Sequence, residues 1–261
     1  MTLPQISLIV IASVLRLAAQ DSELPLAINL PTAESLQEGQ IGVRFTHRFL
    51  QPARTGSKDL YGLDNGNYPG LGVDVGIKAI PGLNAQLYRT ADDKTIILAL
   101  QQQVLKGSLL AISARVERFD ETVKREQVAT GIIGIAGVAI QLPAELHLGG
   151  SVTALLVPTY LSRTTTLEKA AFNVGAGMRW QVTVKHALLA EYYPRPSRLD
   201  PDRYRSGAAI GYGFRTRGHR FTLLASNMAG TTAHQVLAGD YGGGPRAFNQ
   251  WALGFNLVRL F

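Results

Sequence analysis

Strand-like alternation is the feature of this sequence that most restricts its fold. After residue 38, apolar side chains recur at every second position, whereas helical periodicity is almost absent. In residues 41–49, for example, Ile41, Val43 and Phe45 alternate with small, polar or basic residues. Side chains two positions apart lie on the same face of a β-strand, so each such segment has one apolar face and one polar face.

About twelve segments show this alternation over a length that suits a membrane-spanning strand. They cover residues 40–49, 69–77, 83–90, 94–105, 108–118, 128–141, 146–161, 171–183, 186–193, 207–216, 219–227 and 249–261. Two segments are irregular, because 94–105 lacks clean alternation at its start and 128–141 is a run of Gly, Ala, Ile and Val. The pattern therefore predicts an all-β fold.

The connections between these segments are short and long in turn. The short connections are residues 78–82, 106–107, 142–145, 184–185 and 217–218. The long connections are residues 50–68, 119–127, 162–170, 194–206 and 228–248, and only 91–93 breaks the rule. Short turns at one rim and long loops at the other are typical of a bacterial outer-membrane barrel, with the turns in the periplasm and the loops outside the cell.

The number of apolar strand faces indicates whether the apolar side chains point into the lumen or outward. If the apolar faces of about twelve strands pointed inward, they would overfill a barrel of this size. If they point outward they face lipid, the lumen is polar, and a closed barrel satisfies every backbone hydrogen bond within hydrocarbon. We therefore predict a transmembrane antiparallel up-and-down β-barrel over residues 39–261, in the outer membrane of a bacterial cell.

The C-terminal strand ends on Phe261, with Leu253, Phe255 and Leu257 on one face. This ending resembles the signal by which the barrel-assembly machinery recognises its substrates, although Arg259 departs from the usual apolar residue at its position. We expect that machinery as a partner during biogenesis. Outer-membrane lipids and lipopolysaccharide are the partners expected of the folded barrel.

The N-terminus has the pattern of a secretory signal peptide. An apolar run covers residues 6–15, and small residues ending at Ala19 precede a polar stretch. The first five residues carry no Lys or Arg, which leaves a short buried helix as the alternative. We predict a signal peptide at residues 1–19 and a periplasmic N-terminal tail at residues 20–38. The absence of cysteine is compatible with export.

Five segments resemble an outer-membrane β-barrel family of bacteria whose function is not established. They are LPTAESL (30–36), VRFTHRF (43–49), DDKT (92–95), LVPTY (156–160) and LAEYYP (189–194). The segments are spread through the chain and keep their order. The resemblance implies a porin-like barrel in the outer membrane, and it implies no catalytic motif.

The predicted lumen face carries an excess of basic side chains. Its ionisable residues are Arg44, Arg48, Asp74, Arg115, Glu117, Arg179, Glu191, Arg215 and Arg220. A cationic lumen lowers the electrostatic barrier for anions, and arginine is suited to bidentate binding of carboxylate or phosphate. The alternative is that Arg–Glu pairs brace a closed interior.

These observations predict a narrow porin-like channel for passive passage of small polar or anionic solutes, without a cofactor. The first alternative is a plugged barrel with a structural or interaction role in an envelope complex. The second is a hydrolase on the lipid face around His47, which would need a nearby Ser. We do not predict an enzyme, because no catalytic, metal-ligand or nucleotide motif occurs in a suitable context. The net charge is +7, but the basic residues are scattered along the sequence and do not cluster on one face, so they do not indicate nucleic-acid binding.

The long connections offer further candidates. Residues 50–68 are either a constriction folded into the lumen or a plain surface loop. Residues 194–206 contain four arginines that either bind lipopolysaccharide or are solvated. Residues 228–248 include the run Gly242-Gly243-Gly244 and are expected to be mobile.

Overall fold

The computed structural model describes residues 26–64, 66–91, 94–123, 133–163, 170–195, 205–228, 230–238 and 250–261. The strands in this part of the chain are β1 (Ile41–Phe49), β2 (Asn67–Gly76), β3 (Leu83–Thr90), β4 (Ile96–Lys106), β5 (Leu110–Val123), β6 (Ile133–Gln141), β7 (Ala144–Leu148), β8 (Val152–Leu161), β9 (Ala171–Gln181), β10 (His186–Tyr193), β11 (Gly207–Arg215), β12 (His219–Ser226) and β13 (Ala252–Leu260). The helical elements within the same ranges are two 3-10 segments, Ala53–Gly62 and Gly149–Ser151, and one short α-helix, α1 (Ala233–Ala238). Among the described helices, none has the length and apolarity needed to cross a membrane.

The strands form one closed antiparallel sheet. Neighbouring strands pair in chain order, and β1 closes the ring by pairing with β13. Strands β6 and β7 both pair with β5 on one side and with β8 on the other, so together they fill a single position in the ring. The ladder is interrupted at Pro143, which has no backbone N–H to donate. The predicted barrel of about twelve strands is therefore confirmed.

One predicted turn is wrong. The turn expected at residues 142–145 is extended chain, because Pro143 breaks the ladder without reversing the direction of the strand. The reversal occurs at Gly149–Ser151, and β8 begins at Val152 rather than at residue 146. Both Gly149 and Gly150 have positive φ values, of 54° and 22°, which suit a tight turn.

The two rims of the barrel differ as predicted. The short connections after β2, β4, β7, β9 and β11 lie at one rim, which we call the turn rim, together with the first residue of β1 and the last residue of β13. The connections after β1, β3, β5, β8, β10 and β12 lie at the opposite rim, the loop rim. Exposed aromatic residues occur near both ends, with Phe172 beside the loop rim and Trp180 beside the turn rim.

The two faces of the wall have opposite character. Leu71, Leu98 and Phe172 point outward and keep more than half of their surface exposed. Arg44 and Glu117 point inward and are almost completely buried. An apolar exterior around a polar interior is the arrangement required of a barrel that lies in lipid.

Residues 26–38, which we call the plug segment, lie inside the barrel. Ile28, Leu30, Ala33 and Leu36 are almost completely buried against inward-facing side chains of the wall. The prediction of a separate periplasmic tail at residues 20–38 is therefore wrong for residues 26–38, which lie in the lumen. The reason is that the wall offers both apolar contacts and polar partners to this segment. Residues 1–25, including the predicted signal peptide, lie outside the described residues.

A second element, residues 230–238, enters the lumen from the loop rim; we call it the lumenal loop. Val236 and Leu237 of α1 pack with Leu30 of the plug segment against Leu155 and Val157 of β8. This described part of residues 228–248 is therefore a buried lumenal element, because its apolar helix fills the apolar side of the lumen. Residues 239–249 lie outside the described chain.

The predicted constriction at residues 50–68 does not enter the lumen in its described part. Its 3-10 segment lies at the loop rim, where Leu60 and Tyr61 are more than half exposed. The backbone N–H of Ala53 donates to the carbonyl of Trp251 at 2.7 Å, which ties the segment to the start of β13. The surface-loop alternative is therefore the one that holds.

The plugged lumen as a candidate functional site

The tip of the plug segment is bound by one wall carboxylate. Glu191 on β10 accepts the backbone N–H groups of Ile28 at 2.7 Å, Asn29 at 2.9 Å and Leu30 at 3.2 Å. A tight turn makes this possible, since Ala27 donates to the carbonyl of Leu30 at 2.9 Å and the three N–H groups converge. A buried carboxyl group whose oxygens accept several backbone N–H groups satisfies donors that would otherwise be left unpaired. Glu191 is therefore the main polar anchor of the plug tip.

The side chain of Asn29 extends this anchor to other strands. Its Nδ2 donates to the hydroxyl of Tyr193 at 3.0 Å, and its Oδ1 accepts from Nη2 of Arg48 at 2.9 Å. Arg48 also donates through Nη1 to Oδ1 of Asn256 at 2.8 Å, and Asn256 donates to the carbonyl of Ile28 at 2.8 Å. Side chains from β1, β10 and β13 thus hold the same tip.

The remainder of the plug segment is bound through its backbone by the opposite side of the wall. Gln101 on β4 donates to the carbonyl oxygens of Thr32 and Glu34, both at 2.9 Å. Ser113 on β5 donates to the carbonyl of Ala33 at 2.7 Å. These contacts join side chains of the wall to the main chain of the plug segment, so the segment is an occupant of the lumen and not a strand of the barrel.

Two wall glycines make room for the apolar side chains of the plug segment. A Cβ atom built at Gly175 would lie 2.5 Å from Cδ2 of Leu30, and one built at Gly211 would lie 3.2 Å from Cδ1 of Ile28. A methyl group at Gly175 would therefore overlap with Leu30, and one at Gly211 would make a tight contact with Ile28. The small residues on the lumen face of β9 and β11 therefore match its shape.

A chain of buried charged and polar groups lines the side of the lumen formed by β1, β2, β3 and β5. Nη2 of Arg44 lies 2.7 Å from Oδ1 of Asp74, which also accepts from Gln86 at 2.6 Å. Gln86 accepts in turn from Arg115, whose Nη2 lies 2.9 Å from Oε2 of Glu117. The predicted alternative of braced ion pairs therefore holds for these residues.

Small cavities remain beside this polar chain. One lies between Leu26 and the wall at Arg220 and Leu260, and a second lies between Pro31 of the plug segment and Thr231 of the lumenal loop. Each has about 20 Å³ of water-accessible volume, which is enough for about one water molecule. Both cavities are lined by Leu26 and Arg44. The arrangement described is a closed lumen with a polar seam along one side.

The lumenal loop is bound by polar and aromatic contacts at the loop rim. His234 Nε2 lies 2.7 Å from Oε2 of Glu121, and its ring stacks on Phe119 with centroids 4.2 Å apart. The hydroxyls of Thr231 and Tyr88 are 2.7 Å apart. The lumenal loop thus covers the apolar side of the lumen near the loop rim, whereas the plug segment fills the lumen from the turn rim.

Three further arginines lie on the lumen face towards the turn rim, and we call them the arginine cluster. Arg215 and Arg220 are directly opposite each other in the β11–β12 ladder. Arg179 is close enough to Arg215 for the two positive charges to repel each other. Arg179 donates to the hydroxyl of Thr153 at 3.4 Å, and Arg220 donates to the carbonyl of Thr216 at 3.0 Å. The cluster concentrates positive charge where a solute would enter or leave the lumen.

The structure places all of the predicted lumen residues on the inner face but divides them among three settings. Arg44, Asp74, Arg115 and Glu117 form buried pairs, Arg48 and Glu191 bind the plug tip, and Arg179 and Arg215 belong to the arginine cluster. Whether any of them contacts a solute stays a proposal.

Sequence analysis missed the residues that bind the plug segment on its other sides. Asn256 and Gln101 are polar residues in apolar strands, which was the available signal for a lumen position. The plug segment itself includes residues 30–36, which are one of the five segments on which the family resemblance rests.

His47 faces outward, as predicted. Its ring stacks on Phe255 with centroids 5.2 Å apart, and its register partners are Pro69 and Phe255. Within the described residues, no Ser occupies a position paired with His47. The condition for a lipid-face hydrolase is therefore not met there. The absence of enzymatic activity stays a prediction.

A closed antiparallel barrel with an apolar exterior, a polar lumen and segregated turns and loops defines a porin-like outer-membrane β-barrel. The sequence matches the family described as a membrane-bound β-barrel domain (DUF5777) over residues 25–114 and 143–261, and the chain belongs to this family. The match begins at residue 25, so it includes the plug segment.

Two solved structures with the same fold are an outer-membrane channel and a porin. The COG4313 outer membrane channel from Pseudomonas putida F1 has 12% identity and a TM-score of 0.56, over 90% of this chain and all (100%) of that one. The KdgM porin has 8% identity and a TM-score of 0.53, over 85% of this chain and 99% of that one. No protein of curated function matches the sequence. The predicted location in the bacterial outer membrane is confirmed, so the turn rim faces the periplasm and the loop rim faces outward.

Proposed function

We propose that this protein is a narrow passive channel whose lumen is closed at rest by the plug segment. The observation that carries the proposal is the way in which the plug segment is bound. Wall side chains hold its backbone, and the strands of the wall pair with one another without it. Such an occupant can leave the lumen while the hydrogen-bonded ring stays closed.

Removal of the plug segment would expose a polar path. The seam that carries Arg44, Asp74, Arg115 and Glu117 already borders the small cavities on one side of the lumen. Barrels of about eight strands are filled by their own side chains, whereas those of sixteen or more leave an aqueous channel. A ring of twelve positions lies between these limits, so the path is narrow and suits small polar solutes.

Anions are the favoured charged solutes in this proposal. The buried ion pairs contribute little net charge, so the preference comes mainly from the arginine cluster, Arg179, Arg215 and Arg220. Guanidinium groups bind carboxylate and phosphate groups well. The KdgM porin, which has the same fold, has also been solved in complex with disordered oligogalacturonate. This supports tests with carboxylate-bearing solutes first.

The proposal is tested by single-channel recording in planar bilayers. We expect the mature wild-type protein to be closed most of the time and a variant lacking residues 26–38 to conduct steadily. Circular dichroism and the resistance of the folded barrel to sodium dodecyl sulfate establish that both proteins are folded. A folded variant without the plug segment that conducts no ions would overturn the channel.

A closed scaffold is the second candidate. It is favoured by the apolar contact of Leu30 with Val236 and Leu237, which joins the plug segment to the lumenal loop. In that case the loops would carry the function and the lumen would stay filled. The recording described above separates the two candidates, since only the channel conducts after removal of the plug segment.

A further inference from the structure

Charged residues project outward from β3 and β5 at the loop rim, where the rest of the outer face is apolar. Arg89 is the penultimate residue of β3, and Arg118 and Asp120 lie in the outer half of β5. All three are exposed. Arg89 and Asp120 pair with the same residue, Ile96, from opposite sides of β4. They therefore lie on the lipid face on either side of Ile96, next to the loop rim.

The two outward arginines differ from those of the lumen. Each lumen-facing arginine donates to an acceptor of the protein, as Arg44 does to Asp74 and Arg48 does to Asn29. Within the described residues, neither Arg89 nor Arg118 makes a side-chain hydrogen bond or ion pair. A guanidinium group on the lipid face is destabilising unless it reaches polar groups near the interface. Their guanidinium groups are exposed on the lipid face, within reach of polar groups at the interface.

The register gives the spacing of these two arginines. Arg118 pairs with Leu98, which is two residues along β4 from Ile96, the partner of Arg89. Two inter-strand steps and a shift of two residues put their Cα atoms roughly 12 Å apart. Both side chains are long enough to reach one headgroup that lies over Ile96. Lys94, which is exposed in the connection between β3 and β4, adds a third positive charge to this part of the rim. Asp120 is the acidic residue beside it among the described residues, and Asp92 and Asp93 of the same connection lie outside them.

We propose that Arg89, Lys94 and Arg118 bind the phosphate groups of a lipopolysaccharide molecule in the outer leaflet. Arg89 is the penultimate residue of β3 and Arg118 lies in the outer half of β5, so both are near the loop rim, the end of the barrel that lies in the outer leaflet. The neighbouring outward residues Leu98 and Val138 supply an apolar surface for those chains. Phosphate–guanidinium hydrogen bonds are charge-assisted, so two arginines on one headgroup give a specific site. The site is separate from the loop at residues 194–206.

The test uses the full mature protein in detergent, with purified lipopolysaccharide and its dephosphorylated form as probes. The dissociation constant is measured for wild type, for R89Q, for R118Q and for the double variant. R54Q is the matched control, because Arg54 is an exposed arginine at the same rim and its substitution removes the same charge. We expect the double variant to bind intact lipopolysaccharide about 10-fold more weakly, the single variants to be intermediate, and R54Q to stay within about 2-fold of wild type.

The dephosphorylated glycolipid provides the second criterion. Wild type should bind it about as weakly as the double variant binds the intact glycolipid. The proposal is overturned if the double variant binds like wild type, or if R54Q loses as much affinity, since bulk surface charge would then explain the binding. Heat-modifiability on gels establishes that each variant is folded.

Discussion

Arg48 Nη2 and Asn29 Oδ1 are joined by a hydrogen bond of 2.9 Å inside the barrel. An arginine whose position on β1 predicts a pore-lining role therefore binds the segment that fills the lumen. Asn29 also contacts Tyr193, and its backbone N–H donates to Glu191. In the proposed channel, the polar wall residues that would line the open lumen are therefore the ones that hold the plug segment in place.

Substitution E191Q should loosen the tip of the plug segment. The amide replaces one acceptor oxygen by an NH₂ group, which cannot accept from the N–H groups of Ile28, Asn29 and Leu30, so about 1–3 kcal/mol of anchoring is lost. Hydrogen exchange of these three amides, measured by mass spectrometry, should become faster. E38Q is the control, since Glu38 is exposed and outside the anchor. Unchanged exchange in E191Q would refute the role of Glu191.

Substitution G175A should displace the plug segment while G177A should not. The two glycines face inward on the same strand, but only the new methyl group at Gly175 would collide with Leu30. At Gly177 the nearest atoms would be 3.4 Å away, an ordinary contact. The open probability in planar bilayers should therefore rise in G175A alone. Equal behaviour of the two variants would show that shape matching at Leu30 does not control closure.

The Arg44–Asp74 pair should couple strongly in a double-mutant cycle. Both side chains are buried, so R44Q or D74N alone leaves a poorly compensated charge and should cost about 3–5 kcal/mol of unfolding free energy. The double variant should lose much less than the sum of the two. Urea unfolding in detergent measures these values, with R217Q, in an exposed turn, as the control. Strict additivity would contradict the pairing.

The arginine cluster should set the ion selectivity of the open state. In the variant lacking residues 26–38, R179Q, R215Q or R220Q should each lower the ratio of chloride to potassium permeability, measured as a reversal potential in a salt gradient. The effect should weaken at high ionic strength, because salt screens the charges. R217Q again serves as the control. A ratio that is unchanged in all three variants would remove the basis for anion preference.

Most of the barrel could be predicted from sequence because its wall follows a local rule. Alternation with a period of two placed the lumen residues from Arg44 to Arg215 on the correct face, and connection length separated the two rims. The failed turn at residues 142–145 shows the limit of that rule. A proline between two apolar segments indicates a chain reversal under that rule, although proline also fits an interruption within one strand, as at Pro143.

The plug segment could not be predicted in the same way. Residues 26–38 show neither strand nor helix periodicity, and their partners are distant in the chain, as Ile28 and Glu191 are 163 positions apart. Pattern analysis finds the face on which Glu191 lies, but it cannot tell whether that carboxylate meets water, an arginine or a backbone N–H. Only the closed ring brings the segment and its anchor together.

A reversible lock on the plug segment tests the central claim most directly. The natural chain has no cysteine, so L30C combined with G175C introduces a single pair of cysteines. One lies on the plug segment and the other on wall strand β9, at two positions that are next to each other. Single-channel conductance is recorded for the same protein before and after reduction, with L30C alone as the control. The account predicts a silent oxidised form, openings after reduction and no response of L30C to reductant. Equal conductance of the oxidised and reduced forms would contradict it, because the plug segment would then not be the element that closes the lumen.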